Sequence, residues 1–334
     1  MFTSCFLGCV GPPHTTPPAS PSISFTTINS SAANKKTFSL DLRSSLDSTE
    51  SQNTTATAHD IDVHKNVIEL NLNTYFISHL PREIFRIHTL QTLLLSQNYL
   101  TYLPSEIQNL PIITLYLSSN KFTMLPILPT TITTLAMDLN PLMDITGIEQ
   151  YTQLETLVLN SCDLSIIPYT LSALTRLTIL ELHENSIQAL PSSISTLTNL
   201  QKLSLHNNGM TSLPTTVTAL QSLTWLSLHF NHLTALPNPF ALPKLERLSL
   251  HQNHLTHLPT TFYHCTALKV LSLFRNRITH IPTNILSPLI NLQKLSLHQN
   301  CITHLNLPNP LQELWIDHTV QLQDETAIEN INRL

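Results

Sequence analysis

The segment LERLSLHQNHLTHLP, residues 245–259, has leucines at its first, fourth and sixth positions and asparagine at its ninth. The segment LQKLSLHNNGMTSLP, residues 200–214, repeats that spacing. Side chains two residues apart in an extended chain lie on the same side, so the leucines at positions four and six share one face. The residues at positions three, five and seven lie on the other face. The segment therefore predicts a short strand with one buried face and one free face.

The pattern recurs along most of the chain at intervals of 19 to 24 residues and defines twelve units. The units begin at Val67, Leu90, Ile112, Ile132, Leu154, Leu177, Leu200, Leu223, Leu245, Leu268, Leu292 and Leu311. After a Leu-Pro pair, most units continue with apolar residues three positions apart, which predicts short helical turns. The amide of an asparagine at the ninth position can satisfy backbone groups where the chain leaves the strand. Stacked units therefore predict an asparagine ladder.

Leucines and asparagines with this spacing are the signature of leucine-rich repeats. The L-P-x-x-I-x-x-L continuation resembles the Ras-group intracellular leucine-rich repeat proteins, including the Ras-suppressor and Scribble-type scaffolds. The resemblance implies an α/β fold: a leucine-rich repeat solenoid, shaped as a curved horseshoe with a parallel sheet on the concave face and short helical turns on the convex face. It also implies a non-catalytic scaffold in intracellular signalling, whose protein partners would include small GTPases or phosphatases.

Two regions of different composition divide the chain. Residues 1–63 are rich in Pro, Ser and Thr and show no sustained apolar period, which predicts a disordered tail. Residues 64–334 form the predicted leucine-rich repeat domain. In its last segment, residues 326–334, Glu329 follows Thr326 by three positions, as in a capping box. This segment is therefore predicted to be a short C-terminal capping helix.

Composition argues against several classes of site. The chain has four glycines, and none lies in a phosphate-binding motif. Its apolar runs are too short for a membrane-spanning helix. The five cysteines form no CxxC pair, so neither a disulfide framework nor a zinc site is predicted, and a cytoplasmic location is favoured. Acylation of Cys5 or Cys9 would add a membrane attachment.

Catalysis is not predicted, because no carboxylate pair and no nucleophile with an adjacent base stands out. No catalytic residue, cofactor or metal ligand is therefore assigned from the sequence, and the chain is expected to be a monomer.

Cationic and aromatic residues are concentrated on the free face of units seven to eleven. Residues 191–310 contain seven Lys or Arg side chains against one acidic side chain, and ten of the 17 histidines. A positive surface steers an acidic partner, and exposed Trp and Arg are frequent anchors of protein interfaces. We therefore predict that an acidic protein surface binds here. The predicted protein-binding residues are Lys202, Trp225, Phe230, Arg247, Phe274, Arg275, Lys294, His206, His229, His251 and His298.

Histidine occupies the seventh position of five units and leaves three interpretations open. The histidines are His183, His206, His229, His251 and His298, and Phe274 interrupts them. Adjacent imidazoles could share a metal ion, although no carboxylate or cysteine completes a site. They could gain charge between about pH 7.5 and pH 6 and strengthen the binding of an acidic partner. They could also reflect repeat duplication without a role of their own.

Nucleic acid is the alternative macromolecular partner for the basic half of the solenoid, because cations interleaved with aromatic rings can hold phosphates and stack bases. The net charge of the chain, −5, argues against this alternative.

Overall fold

The computed structural model describes residues 24–27, 37–41, 67–323 and 328–334. Strands β1 (Ser24–Thr27) and β2 (Thr37–Asp41) lie within the segment predicted as a disordered tail. They form an antiparallel pair, and β2 pairs in parallel with the first strand of the repeat domain. The sequence pattern did not predict these two strands. The rest of residues 1–63, with Cys5 and Cys9, lies outside the described residues, and its disorder stays a prediction.

Each of the twelve predicted units contributes one strand to a parallel sheet, as expected. Each strand begins at the third position of its unit, except the last, which begins at the first position. The strands are β3 (Glu69–Asn71), β4 (Thr92–Leu94), β5 (Thr114–Tyr116), β6 (Thr134–Ala136), β7 (Thr156–Val158), β8 (Ile179–Glu181), β9 (Lys202–Ser204), β10 (Trp225–Ser227), β11 (Arg247–Ser249), β12 (Val270–Ser272), β13 (Lys294–Ser296) and β15 (Leu311–Ile316).

Short helical turns connect the strands on the opposite side of the solenoid, as predicted. The turns are 3₁₀ segments at Arg82–Arg86, Ser105–Asn109, Ile148–Gln150, Tyr169–Ala173, Ser192–Thr196, Thr215–Ala219 and Thr260–His264, and helix α1 at Thr283–Leu286. All but one of these turns follow a proline, such as Pro214 with φ −66° and ψ 145°. Proline fixes φ and has no N–H to satisfy, so it suits the residue before a turn. Each turn buries at least one apolar side chain, for example Val217.

The leucines at positions four and six form the core. Leu203, Leu205, Leu226, Leu228 and Leu248 are all 0% exposed, as the alternation predicted. The core is one continuous cluster from the first unit to the last, because each unit packs only against its neighbours. The strands that carry the free-face residues are therefore held in place by the core beneath them.

The ninth-position asparagines form the predicted ladder. The Nδ2 group of Asn208 donates to the Leu182 carbonyl at 3.0 Å and to the Leu205 carbonyl at 3.1 Å, and its Oδ1 accepts from the Ile187 N–H at 2.9 Å. One side chain thus satisfies three backbone groups in two adjacent units. Cys162 substitutes in one unit, where its thiol contacts the Met137 carbonyl at 3.3 Å.

The C-terminal segment corrects one prediction. Residues predicted as a capping helix form strand β17 (Ile328–Arg333), which pairs in parallel with β15 and places Ile331 beside Leu314. Strand β15 would otherwise present an open edge, and pairing satisfies its backbone groups. An isolated helix of nine residues gains too little from its own hydrogen bonds to compete. A second small sheet joins β14 (His304–Leu305) to β16 (Gln321–Leu322).

Candidate functional site

The strand register converts equivalent positions of successive units into straight columns across the concave face. Lys202 pairs with Trp225, and Trp225 with Arg247, in adjacent parallel strands. The third column is the line of third-position residues Lys202, Trp225, Arg247, Val270, Lys294 and Glu313. The seventh column is the line of seventh-position residues His183, His206, His229, His251, Phe274 and His298. Fifth-position serines separate the two columns.

Trp225 is the centre of the third column. Its indole is partly buried, and the Lys202 ammonium lies over the ring at 4.0 Å from the centroid. Arg247 is exposed on the next strand and has no ion-pair partner among the residues that the structure describes. Trp225 and Arg247 line a shallow cleft together with Thr224 and Glu246. The arrangement presents an aromatic surface beside an available guanidinium.

Both lysines of the predicted site are ion-paired. Lys202 Nζ lies 2.5 Å from Glu181 Oε1, and Lys294 Nζ lies 2.7 Å from Glu313 Oε2. Burial would raise the pKa of Glu181, but hydrogen bonds from Lys202 and Asn160 outweigh it and lower that pKa. The sequence analysis counted the lysines as free charges and missed these partners. The available positive charge of the third column is therefore centred on Arg247.

The seventh column is a continuous stack of flat rings. Successive centroids from His183 to His251 are 4.2 Å apart with interplanar angles of 10° to 15°. Phe274 continues the stack at 4.3 Å from His251, and His298 at 4.5 Å from Phe274. Parallel strands are spaced at about 4.8 Å, so equivalent rings on adjacent strands lie almost at stacking distance. Phe274, which interrupts the histidines in the sequence, therefore takes the place of one imidazole and does not break the stack.

Serines of the fifth position hold the imidazoles from beside the stack. Ser204 Oγ lies 2.9 Å from His206 Nδ1, and Ser227 Oγ lies 2.9 Å from His229 Nδ1. Both serines are only 2% exposed. A hydroxyl this buried cannot reach a substrate carbonyl, so these Ser–His pairs position the rings and do not resemble a nucleophilic site.

The imidazoles of His206, His229 and His251 are electrically neutral at physiological pH, which corrects the response predicted for them between pH 7.5 and pH 6. Burial, followed by repulsion from neighbouring imidazolium groups, lowers the pKa of His206, His229 and His251 to about 4. Burial also lowers the pKa of His298. His206, His229 and His251 do not gain charge near pH 6, so these three rings cannot strengthen the binding of an acidic partner there.

The remaining predicted residues flank the stack at eighth positions. Phe230 is 46% exposed, and its ring lies 5.6 Å from that of His229 and 5.9 Å from that of His251. Arg275 is exposed and its Nε donates to Gln299 Oε1 at 2.5 Å. The structure thus groups the predicted residues into two lines, Lys202–Trp225–Arg247 and the ring stack with Phe230. Lys294 lies farther along the third column with Glu313.

One cluster was missed by the sequence analysis. His183, Glu184 and His206 each have a potential ligand atom within 4.8 Å of the other two. The sequence analysis found no carboxylate for the histidine column, but Glu184 directly follows His183. The sequence did contain a signal for this cluster. Among the eighth-position residues of the twelve units, Glu184 alone is acidic.

No helix in the described part of the chain is long and apolar enough to cross a membrane. The three cysteines that the structure describes, Cys162, Cys265 and Cys301, are free thiols.

Comparisons with known proteins agree with the geometry. Leucine rich repeat family models match residues 89–110, 175–233 and 221–278. No curated protein sequence matches. A leucine-rich repeat protein of Leptospira interrogans is 29% identical, with a TM-score of 0.70 over 83% of this chain and 74% of that one.

Two further solved structures are similar. The plant peptide hormone receptor RGFR1, solved in complex with RGF2, is 25% identical, with a TM-score of 0.58 over 75% of this chain and 50% of that one. YopM from Yersinia enterocolitica is 23% identical, with a TM-score of 0.60 over 80% and 60% of the two chains. The repeated sequence, the parallel sheet formed by the repeat strands and these similarities together show that the fold is a leucine-rich repeat solenoid.

Proposed function

We propose that this protein is a non-catalytic scaffold that binds a protein partner through the concave face of units seven to eleven. The observation that carries the proposal is the Trp225–Arg247 pair, in which a partly buried indole and an exposed guanidinium line one cleft. Trp and Arg supply much of the binding energy at protein interfaces when a partner excludes water from them. A preformed sheet presents both groups with little ordering cost.

The partner surface is proposed to be acidic at the point that meets Arg247. Residues 191–310 carry an excess of six positive charges, seven against one, whereas the preceding units are acidic. The ion pairs of Lys202 and Lys294 reduce the local charge, so steering depends on Arg247 and Arg275 more than on the lysines. Phe230 and the ring stack would add apolar contact beside these charges.

Signalling, a cytoplasmic location and a GTPase or phosphatase partner are proposed on the resemblance to Ras-group repeats. The free thiols are compatible with a reducing compartment. The similarity to a peptide hormone receptor supports the general use of this fold in recognising polypeptides. Nucleic acid is the weaker candidate, because the neutral imidazoles and the paired lysines leave few cations for phosphates.

Affinity capture with crosslinking tests the proposal, followed by affinity measurement with the partner identified. Trp225→Ala should weaken binding by about 2 kcal/mol or more, and Arg247→Ala by a similar amount with reduced salt dependence. Tyr116→Ala is the matched control, because Tyr116 is a 38% exposed aromatic on the concave strand β5. Normal binding by both variants of units eight and nine, or loss of binding by the Tyr116 variant alone, would place the site elsewhere.

A further inference from the structure

Unit six departs from the repeat at the end of the histidine stack. Its strand and turn read Glu181-Leu182-His183-Glu184-Asn185, whereas unit seven has Asn207 in place of Glu184. The eighth position is exposed and its backbone is left-handed in both units, with φ 55° at Glu184 and 56° at Asn207. The backbone N–H of Glu184 donates to the His206 carbonyl at 3.0 Å, which fixes the backbone of Glu184 beside unit seven.

We propose that His183, Glu184 and His206 form a binding site for a borderline divalent transition-metal ion, with Zn²⁺ as the first candidate. Two imidazoles and a carboxylate are ligands that zinc commonly takes, and three protein ligands leave a position open for water or an external donor. Their potential ligand atoms already lie within 4.8 Å of one another. Tetrahedral coordination at about 2.0 to 2.1 Å requires these atoms to approach to roughly 3.3 Å. Exposed Glu184 can move toward the rings, and the two rings, which are stacked at 4.2 Å, must tilt so that one metal ion lies in the plane of both.

The surroundings hold the ligands as outer-shell groups do in metal sites. Ser161 Oγ donates to Glu184 Oε2 at 2.9 Å, which orients the carboxylate. His206 Nδ1 contacts Ser204 Oγ, which leaves Nε2 of that ring for a metal. Nδ1 of His183 is buried and has no hydrogen-bond partner among the described residues, so that ring is not committed to another group.

Glu184 borders an open polar depression of about 810 Å³, which Ser186 and Gly209 also line and which neither His183 nor His206 lines. Water therefore has access to the carboxylate from the side opposite the rings.

Direct metal titration of the full chain tests the site without any protein partner, so its failure would leave the proposed partner-binding face unaffected. Zn²⁺ binding is measured by calorimetry after chelation and dialysis, and Co²⁺ absorption reports the coordination geometry. The wild-type protein should bind one Zn²⁺ tightly, above the weak binding expected of scattered histidines. Glu184→Gln should weaken that site at least about tenfold, because even outer-shell changes cost 10- to 100-fold.

Moving the carboxylate by one unit provides the sharper test. Asn207 occupies the place of Glu184 in unit seven, with His206 and His229 as the corresponding rings. Asn207→Glu in the Glu184→Gln background should recover most of the lost affinity. His251→Asn is the control, because it alters the same stack at a unit whose eighth residue, Gln252, is not a carboxylate. It should leave Zn²⁺ affinity within about twofold.

Thermal unfolding of the metal-free variants checks that each is folded, as expected because Glu184 and Asn207 are exposed and His251 is only partly buried. Zinc affinity that is equal in the wild type and Glu184→Gln would overturn the proposal. An equal loss of affinity in His251→Asn would also overturn it, because binding would then be a general property of the stacked histidines.

Discussion

The concave faces of units one to five and of units six to eleven share one backbone but differ in chemistry. Corresponding strands are in register in both halves, and the eighth residue is left-handed in both, for example Ser119 at φ 55° and Phe230 at φ 53°. The third position is threonine in units two to five, and it includes Lys202, Trp225 and Arg247 later. The backbone is therefore set by positions four, six and nine, while the other positions vary independently.

The polar contacts of the seventh position show the same contrast. In the first half Ser118 Oγ donates to Asp138 Oδ1 at 2.8 Å, so neighbouring units are linked by hydrogen bonds between short side chains. In the second half the rings stack at 4.2 Å. One backbone geometry thus carries two different arrangements of side chains at the seventh position. The five predictions below test which properties the two halves share and which properties differ.

The largest expected effect is common to both halves. Leu228→Asp and Leu117→Asp each place a charge at a position that is 0% exposed in the continuous core. Each substitution should destabilise the fold by more than about 4 kcal/mol, because the buried carboxylate has no partner. Denaturant unfolding measures this loss. If either variant were as stable as the wild type, the shared core would not hold that half together.

The asparagine ladder should contribute equally to the stability of the two halves. Asn208→Ala leaves the Leu182 and Leu205 carbonyls and the Ile187 N–H without their side-chain partner. Loss of these buried contacts should cost about 2 to 4 kcal/mol, and Asn120→Ala in the first half should cost the same. Denaturant midpoints compare the two. A cost confined to one half would mean that the ladder is not a uniform support.

The response to acid should distinguish the halves. The unfolded chain binds protons at the ordinary histidine pKa of 6.5, but burial and then repulsion by His251 lower the pKa of His229 to about 4 in the folded chain. The contribution of His229 to stability is therefore fully present above about pH 7 and is lost as the pH falls from about 6.5 to 4. His229→Phe keeps the ring but removes one titrating group, as Phe274 does naturally.

The stability lost between pH 7 and pH 4 should be smaller by about 1 kcal/mol in His229→Phe than in the wild type, since screening reduces the effect of a partly exposed ring. Carboxylates titrate equally in both proteins, so the difference reports His229 together with its repulsion of His206. Urea unfolding at a series of pH values measures it. Identical pH profiles would mean that His229 titrates normally in the folded protein.

The ion pair at the start of the second half should have a small effect on stability. Glu181→Gln removes the partner of Lys202 and should change the free energy of unfolding by less than about 1 kcal/mol, because the pair is partly solvated. Release of Lys202 should accelerate association with an acidic partner. Glu155→Gln, at an exposed site in the first half, is the charge-matched control. Equal association rates for the two variants would argue against Lys202 in the steering surface.

The smallest effect concerns the left-handed eighth position. Leu139→Asn and Phe230→Asn place a residue that tolerates this conformation at φ 57° and 53°. Each should leave stability unchanged or raise it by about 0.5 kcal/mol in thermal unfolding. Only Phe230→Asn should weaken partner binding. If Leu139→Asn weakened binding equally, the interface would extend across both halves.

Local sequence patterns predicted most of the repeat domain, because each unit contacts only its neighbours. Leu203 and Leu205 are buried and Asn208 bridges two units, as their spacing indicated. The sequence pattern gave wrong or missing predictions where the chain departs from the regular repeat. Residues 328–333 have apolar side chains at a helical spacing of three, but the open edge of β15 recruits them into a strand. Strands β1 and β2 lie in a segment with no repeat pattern.

The sequence by itself determined the solenoid, the core and the columns of the free face, because a strict repeat leaves one way to stack its leucines. Only the tertiary structure decided which charges are available and which histidines titrate. Lys202 is paired with a residue 21 positions away, and the stack of His206 depends on side chains in the two adjacent units. Such pairings depend on distances between units and on burial, and a one-dimensional pattern specifies neither.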